Sequence, residues 1–310
     1  MTAAGGLLAL ITIVSGRHDH LQRQLDTVAH SPNRPWLHVV VAMDDANVRS
    51  IVGSGESVEV VEIDSGADGL ELASARNIGA RFAIAAGADS LVFLDVDCLP
   101  GPELFSRYRR ALHDHYDDSV ICCGPVTYLE QGQINDDLAA YTNPHPARPD
   151  PPDGEVHLDS DLTLFWSLSF ALNAHDWRNI RGFHTGYRGY GAEDTDFAMS
   201  AAAQGYRLAW VGGAHAYHQY HRVSDPPVEH LDDILRNGAL FRRRWGWWPM
   251  DGWLTAFEDR GLVEYDAATD NWTKPNHRTA TASNSSANPP MNAARAPGRL
   301  QRTESDRPER

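Results

Sequence analysis

Lysine, cysteine and long apolar runs are scarce in this sequence. Lys274 is the single lysine, and the formal net charge of −15 at pH 7 argues against a protein that binds nucleic acid through basic patches. The three cysteines, Cys98, Cys122 and Cys123, are an odd number with two adjacent, which argues against a disulfide framework and for a reducing compartment. No apolar run reaches the roughly 20 residues that span a bilayer. We therefore expect a cytoplasmic protein that does not bind nucleic acid.

The length and composition predict one large domain and a tail. The chain has 310 residues, of which 42% are hydrophobic, and this is enough to build a core without disulfides. We expect a single domain over residues 1–272, with one half up to about residue 125 and a second half over about 126–272. A proline-rich surface loop is expected at residues 144–153. From residue 273 to 310, polar residues, Pro and Ala dominate without periodicity, which predicts a disordered tail.

Apolar runs alternate with helix-like segments along the first half, a pattern typical of a parallel α/β sheet. The runs span residues 8–14, 37–42, 58–63 and 91–94. Apolar residues at helical spacing lie between or after them: Leu21, Leu25 and Val28; Ala75, Ile78 and Phe82; Leu104, Tyr108 and Leu112. No basic segment precedes the first run, so we interpret it as a buried strand and not as a signal peptide. We expect an α/β fold with a Rossmann-like, mostly parallel central sheet flanked by helices.

The fourth apolar run ends in two carboxylates, Asp95 and Asp97. Open α/β sheets bind ligands at the C-terminal ends of such strands, and strand alternation would put both carboxylates on one side with Val96 pointing inward. Carboxylate oxygens favour Mg²⁺ or Mn²⁺, ions that often keep coordination positions for substrate phosphates. The implied ligand is a nucleoside diphosphate. The alternative is that one Asp begins the loop and caps a helix starting near Pro100.

A second acidic cluster, Glu193, Asp194 and Asp196, lies at the apparent start of a helix that runs toward Ala203. Three glycines precede it: Gly186, Gly189 and Gly191. Acidic side chains at a helix N-terminus gain a few tenths to about 1 kcal/mol from the macrodipole and the unpaired N–H groups. That gain is the structural alternative to a catalytic role for these acids.

Together these segments resemble glycosyltransferases of the GT-A fold, particularly family two and the related galactosyltransferase families seven and twenty-seven. Asp95-Val96-Asp97 resembles the metal-binding DxD motif of these enzymes, and residues 189–197 resemble their glycine-rich Glu-Asp motif on the acceptor side. Residues 72–79 are similar to the helix start that contacts the nucleotide, and residues 169–173 and 180–183 to the segment before the acceptor-side acids. The similarity covers roughly residues 7 to 260, and the motifs follow one another in the same order as in these enzymes. Tyr190 and Ala192 stand where galactosyltransferases often have Gly or Trp, which leaves the sugar preference open.

The resemblance implies a cation, Mn²⁺ or Mg²⁺, held by Asp95 and Asp97 with a histidine added from further along the chain. His215, His218 and His221 are the candidates. Strand alternation would place His215 and His218 on opposite faces, so they would not all share one site. We favour His218 and then His221, and the alternative is a set of partly exposed histidines beside aromatic packing.

In the resembling enzymes, the ends of the first two strands hold the base of the nucleotide. Asp44 follows the second run and could accept the N3–H of uracil, with Arg76 beside it and Ser15 or Thr12 nearby. Ordinary turn chemistry explains each of these residues equally well. The residues that we expect to contact the donor are Ser15, Asp44, Arg76, Asn77 and Asp95.

The implied reaction moves a sugar from a nucleotide-sugar donor, with a UDP-sugar favoured, to a hydroxyl of a carbohydrate or glycoconjugate acceptor. Asp194 would deprotonate that hydroxyl in an inverting displacement, and Glu193 would orient donor or acceptor hydroxyls. Two other functions stay open. One is a metal-dependent nucleotide-sugar hydrolase or nucleotidyltransferase that uses the same metal site, and the other is a non-catalytic carbohydrate-binding protein of the same fold.

Residues 226–244 predict an amphipathic helix. Its apolar side carries Leu231, Ile234, Leu235 and Phe241. A tryptophan cluster follows it: Trp245, Trp247 and Trp248. These indoles have three interpretations, namely packing against the domain, stacking on an acceptor sugar, or peripheral contact with the inner face of a membrane.

Overall fold

In the computed structural model, the four predicted apolar runs form four neighbouring parallel strands. They are β1 (Leu8–Val14), β2 (Leu37–Met43), β3 (Val58–Ile63) and β4 (Ser90–Leu94). β1 pairs with both β2 and β4, and β2 pairs with β3. The structure describes residues 6–54, 57–66, 69–133, 137–222 and 224–275. The predicted tail therefore lies outside the described residues from residue 276 onward.

Four more strands complete an eight-stranded central sheet: β6 (Val120–Cys123), β8 (Val156–Asp159), β9 (Ser169–Asn173) and β10 (Arg207–Val211). The strand order across this sheet is β3-β2-β1-β4-β9-β6-β10-β8. β9 runs antiparallel to β4 and β6, β8 runs antiparallel to β10, and the remaining strands share one direction. The prediction of a Rossmann-like, mostly parallel sheet flanked by helices is confirmed.

Helices cover both faces of this sheet. α3 (Leu72–Ala85) packs on one face with Ala9, Ile11 and Val39, while α1 (His18–His30) and α4 (Leu104–Asp114) cover the other. α3 approaches β1 and β2 closely, because a Cβ at Gly79 would collide with Ile11 and Val41. The residues of α3 that pack on the sheet are therefore small, and Arg76 and Asn77 of the same helix are also buried. Phe82, which the helical spacing placed toward the sheet, is 38% exposed.

The remaining helices and strands lie outside the central sheet. They are α2 (Val48–Val52), β5 (Cys98–Pro100), β7 (Val126–Tyr128), α5 (Ala174–Ile180), α6 (Glu193–Ala202), β11 (Ala216–His218), α7 (Leu231–Trp245), α8 (Asp251–Asp259), β12 (Glu264–Asp266) and β13 (Asn271–Thr273). β5, β11 and β7 make a small three-stranded sheet beside the end of β4. The proline-rich residues 144–153 contain no helix or strand. Among the described residues, none of the helices is long and apolar enough to cross a membrane.

The predicted amphipathic helix and the tryptophan cluster have distinct environments. α7 begins at Leu231, after one 3₁₀ turn at Val228–His230, and it buries Ile234 and Phe241. The Trp245 indole donates to Asp196 Oδ1 (2.7 Å), and the Trp248 indole donates to Asp270 Oδ1 (3.2 Å). Trp247 is 39% exposed. Packing against the domain therefore accounts for Trp245 and Trp248, and the partly exposed ring of Trp247 lies T-shaped against Phe241 with centroids 4.7 Å apart.

Candidate active site

Asp95 and Asp97 lie in a turn at the C-terminal end of β4. The strand ends at Leu94, and the N–H of Cys98 donates to the carbonyl of Asp95 (2.8 Å), which reverses the chain before β5 begins. Because strand alternation stops at Leu94, the two carboxylates have different partners. Asp95 pairs with Arg76, and Asp97 faces two histidines. The expectation that both carboxylates address one cation stays a prediction.

Asp97, His218 and His221 form a candidate metal centre. One ligand atom from each residue lies within 4.8 Å of the others. The Nε2 atoms of His218 and His221 are 3.6 Å and 3.4 Å from the Asp97 carboxylate. Burial raises the pKa of Asp97, but the hydrogen bond from His221 and the charges of His218 and Arg17 outweigh burial and hold the pKa well below its ordinary value. Asp97 is therefore an ionised carboxylate beside two imidazoles.

His215 lies apart from this centre. Its Nε2 is 2.7 Å from Thr127 Oγ1, and burial lowers its pKa to about 4, which keeps the imidazole neutral. His218 instead ends β11, where it lies opposite Cys98 of β5 and therefore next to Asp97. The strand thus places His218 beside Asp97 and leaves His215 apart, which separates two of the three histidines that the sequence left as alternatives.

Arg76 connects the two acidic clusters of the sequence. Its guanidinium lies 2.9 Å from Asp95 Oδ1 and 3.4 Å from Glu193 Oε1, and its side chain is 4% exposed. Burial and the neighbouring Asp194 carboxylate raise the pKa of Glu193 to about 7. Burial also raises the pKa values of Asp95 and Asp194. The guanidinium therefore partly offsets the repulsion among carboxylates that lie far apart in sequence.

The acids at the start of α6 divide into two roles. Asp196 is fully buried and accepts hydrogen bonds from the hydroxyl of Tyr187 (3.0 Å), from Arg244 Nε (2.6 Å) and from Trp245. It therefore attaches α7 to α6. Asp194 is only partly buried, and its Oδ1 accepts the N–H of Thr195 (2.7 Å).

The glycine-rich loop before α6 is held by α7. Asn237 donates its amide to the carbonyls of Arg188 (2.8 Å) and Tyr190 (3.2 Å), and the N–H of Tyr190 donates to Asp233 Oδ2 (3.1 Å). Gly189 has φ +64°, and a Cβ there would collide with the Asp233 carboxylate. A glycine is therefore required at this position by both conformation and space.

Ser15 and Asp44, two of the expected nucleotide contacts, lie at the same edge of the sheet. Val14 of β1 lies opposite Ala42 of β2, so Ser15 and Asp44 follow neighbouring strand ends. Asp44 Oδ1 accepts the N–H of Ser65 (2.9 Å). Thr12 is fully buried and is not at this edge.

Asn77, next to Arg76 on α3, is engaged with the backbone of one residue. Its amide donates to the carbonyl of Phe183 (2.8 Å) and accepts the N–H of the same residue (2.9 Å). These bonds hold residues 182–183 against α3. The predicted contact between Asn77 and the nucleotide stays a prediction.

Two residues at the site were not among the sequence-based candidates. Arg17 Nη1 lies 2.8 Å from Asp97 Oδ2, and a basic residue directly after the first strand was a signal that could have found it. The ring of Tyr128 stacks on His218 with centroids 4.6 Å apart. Tyr128 reaches this position through the pairing of β7 with β11, for which the sequence has no local signal.

Comparison with known proteins gives two informative similarities. Residues 155–222 match the family described as the N-terminal domain of galactosyltransferase, and this segment contains Glu193, Asp194, His218 and His221. Among solved structures, S. aureus TarS residues 1–349 in complex with UDP-GlcNAc has a TM-score of 0.55 at 11% identity, covering 82% of this chain and 77% of that chain. This protein has the GT-A glycosyltransferase fold.

A further structure with detectable similarity is GalNAc-T7, crystallised with UDP, GalNAc and Mn²⁺. It has a TM-score of 0.49 at 14% identity and covers 70% of this chain. The chain spans 44% of the length of GalNAc-T7. No curated protein matches the chain in sequence.

Proposed function

We propose that this GT-A-fold protein is a metal-dependent glycosyltransferase. It would move a sugar from a nucleoside-diphosphate sugar, with a UDP-sugar favoured, to a hydroxyl of a carbohydrate or glycoconjugate. The observation that carries the proposal is the position of Arg76. It pairs with Asp95, two residues before Asp97 of the candidate metal centre, and with Glu193, the neighbour of Asp194 in the chain. The UDP-GlcNAc complex of TarS, which shares the fold, supports a nucleotide-sugar donor.

The candidate metal centre fits a divalent cation of intermediate softness. Asp97, His218 and His221 offer one carboxylate and two imidazoles, a set that favours Mn²⁺ over Mg²⁺ because Mg²⁺ prefers oxygen ligands. Three protein ligands leave positions for phosphate oxygens. A cation bound there would neutralise charge on the leaving diphosphate.

The residues around this centre would bind the donor. Arg17 is 39% exposed and can donate to a phosphate oxygen as well as to Asp97. Asp95 is 29% exposed and can accept a hydrogen bond from a donor hydroxyl while Arg76 holds its other side. Ser15 and Asp44, at the neighbouring strand ends, would face the base.

Asp194 would act as the base on the acceptor. Burial raises its pKa, so its carboxylate takes a proton more readily than an exposed aspartate does. As the acceptor oxygen bonds to the anomeric carbon, the bond from that carbon to the diphosphate breaks and the hydroxyl proton passes to Asp194. Attack opposite the leaving group gives inversion. Glu193 would orient hydroxyls beside it, and holding both substrates in line lowers the entropic cost of their reaction.

Calorimetric titration with UDP and GDP, each with Mn²⁺ and with a chelator, tests the donor half of the proposal. We expect UDP to bind only with the metal. Asp97→Ala should weaken that binding, whereas Asp194→Asn should keep it and lose transfer to acceptor glycans. Asp259→Asn, a change at an exposed position at the end of α8, is the control and should alter neither property.

Two results would contradict this division of roles. Equal loss of UDP binding in Asp97→Ala and Asp194→Asn would remove the distinction between donor and acceptor residues. Release of free sugar from UDP-sugars, with no glycoside formed for any acceptor, would indicate the hydrolase alternative.

A further inference from the structure

Four consecutive backbone carbonyls, those of residues 95–98, are held by two buried glutamines. Gln24 Nε2 donates to the carbonyls of Asp95 (2.7 Å) and Cys98 (2.7 Å). The backbone N–H of Gln219 donates to the carbonyl of Asp97 (2.6 Å), and its Nε2 lies 3.4 Å from the carbonyl of Val96. Both glutamines are fully buried.

The Gln24 amide is fixed by a chain of hydrogen bonds through the sheet. Its Oε1 accepts the hydroxyl of Thr12 (2.8 Å), and Thr12 Oγ1 lies 2.9 Å from His38 Nε2. Since the Thr12 hydroxyl donates to Gln24, it accepts from His38, which must carry its proton on Nε2. Burial lowers the pKa of His38 to about 3, so this ring stays neutral and the direction of the chain is fixed. Gln24 therefore presents both N–H groups to the turn.

Gln219 links the same turn to the segment that carries both candidate histidine ligands. It lies between His218 and His221 in the chain, and its Nε2 also donates to the carbonyl of His20 (3.2 Å). Arg23 Nε donates to its Oε1 (2.6 Å). Gln24, Arg23 and His20 all belong to α1, so one helix supports both sides of the candidate metal centre.

We infer that Gln24 and Gln219 are positioning residues that hold the turn of residues 95–98, and with it the Asp97 carboxylate, in the geometry that receives a divalent cation. The inference rests on the proposed function, because it assigns these residues a task in metal-dependent donor binding. Neither glutamine would contact the metal or the donor. Replacing a group that orients a metal ligand commonly weakens metal affinity by 10–100-fold.

The test uses three substitutions of matched shape in the full chain: Gln24→Met, Gln219→Met and Gln22→Met. Gln22 is exposed on the same helix and is the control. In calorimetric titrations of UDP, we expect the Mn²⁺ concentration for half-maximal binding to rise about tenfold or more in the two buried variants. Saturating Mn²⁺ should restore UDP binding in variants that are already folded in chelator, which identifies a weakened metal site and not a loss of stability. Folded variants with an unchanged Mn²⁺ midpoint would overturn the inference.

Gln219→Glu tests whether Gln219 holds the turn through its Nε2 donor bonds or only through its contact with Arg23. The carboxylate can still accept from Arg23 but cannot donate to the carbonyls of His20 and Val96. We therefore expect its Mn²⁺ midpoint to shift as that of Gln219→Met does, and a wild-type midpoint would show that only the Arg23 contact matters.

Hydrogen exchange of the wild-type protein tests the same turn without any substitution. The amides of Cys98 and Gln219 should exchange slowly in chelator, because each donates within the held turn. Rapid exchange would overturn the inference even where the variants fail to fold. If the wild-type protein binds no Mn²⁺ and UDP although these amides are protected, the proposed function fails while the held turn remains.

Discussion

Glu193 should make the metal-free protein less stable as pH rises, and Glu193→Gln should remove that loss. Burial and the Asp194 carboxylate raise the pKa of Glu193 from 4.5 to about 7, despite the nearby Arg76. Between these two pH values the folded protein holds a proton at this carboxyl that the unfolded chain has released. The free energy of unfolding then falls by about 1.4 kcal/mol per pH unit.

Over the interval from pH 4.5 to about 7, this effect amounts to about 3 kcal/mol for Glu193 alone. The amide of Glu193→Gln does not ionise, so the variant should lack this part of the slope. It loses the 3.4 Å ion pair with Arg76, but Arg76 keeps Asp95 at 2.9 Å. We therefore expect the variant to exceed the wild type by about 1 to 3 kcal/mol at pH 8 and to lose that advantage near pH 4.5.

Urea unfolding in chelator at pH 5, 6, 7 and 8 measures this difference. Glu258→Gln, at an exposed position of α8, is the matched control and should follow the wild-type curve. If the free energy of unfolding of Glu193→Gln falls between pH 5 and 7 as steeply as that of the wild type, the Glu193 carboxyl does not have the raised pKa that its burial and acidic neighbour indicate. Because Asp95 and Asp194 remain in both proteins, only the difference between the two curves reports on Glu193.

Two further predictions concern the candidate metal centre and the glycine-rich loop. His218→Ala should lower the Mn²⁺-dependent affinity for UDP at least tenfold in calorimetry. His215→Asn should lower stability and leave the Mn²⁺ midpoint unchanged. A larger effect of His215→Asn than of His218→Ala on Mn²⁺-dependent UDP binding would place the metal elsewhere. Gly189→Ala should cost about 2 to 4 kcal/mol in urea unfolding, because it adds a collision with Asp233 to the left-handed backbone cost. Gly205→Ala, with φ +83° and open space, should cost only about 1 kcal/mol, and equal costs would contradict the collision.

Local patterns predicted the first four strands and the start of α6. Continuous apolar runs such as residues 8–14 are long enough to be strands and too apolar for a solvent-exposed surface, so their burial follows from composition. The small residues of α3 were harder to interpret. Phe82 was placed toward the sheet by its spacing, but the close approach at Gly79 leaves space there only for small side chains.

Local sequence patterns could not predict that Asp95 and Asp97 have different partners. Alternation assumes that a strand continues, and β4 stops at Leu94 because the chain turns into β5. The turn sends one carboxylate to Arg76 and the other to His218. The strand end was visible in the sequence, but the turn conformation depends on glutamines from α1 and from the segment after β11.

The sequence by itself determined the alternation of strands and helices, the two acidic clusters and their resemblance to GT-A glycosyltransferases, because these follow from residue types at short spacing. Only the tertiary structure decided which histidines face Asp97, which acid at the start of α6 is buried, and that Arg76 lies between Asp95 and Glu193. The Arg76 to Glu193 contact joins residues 117 positions apart. Such contacts are set by strand order and helix packing, which no local pattern encodes.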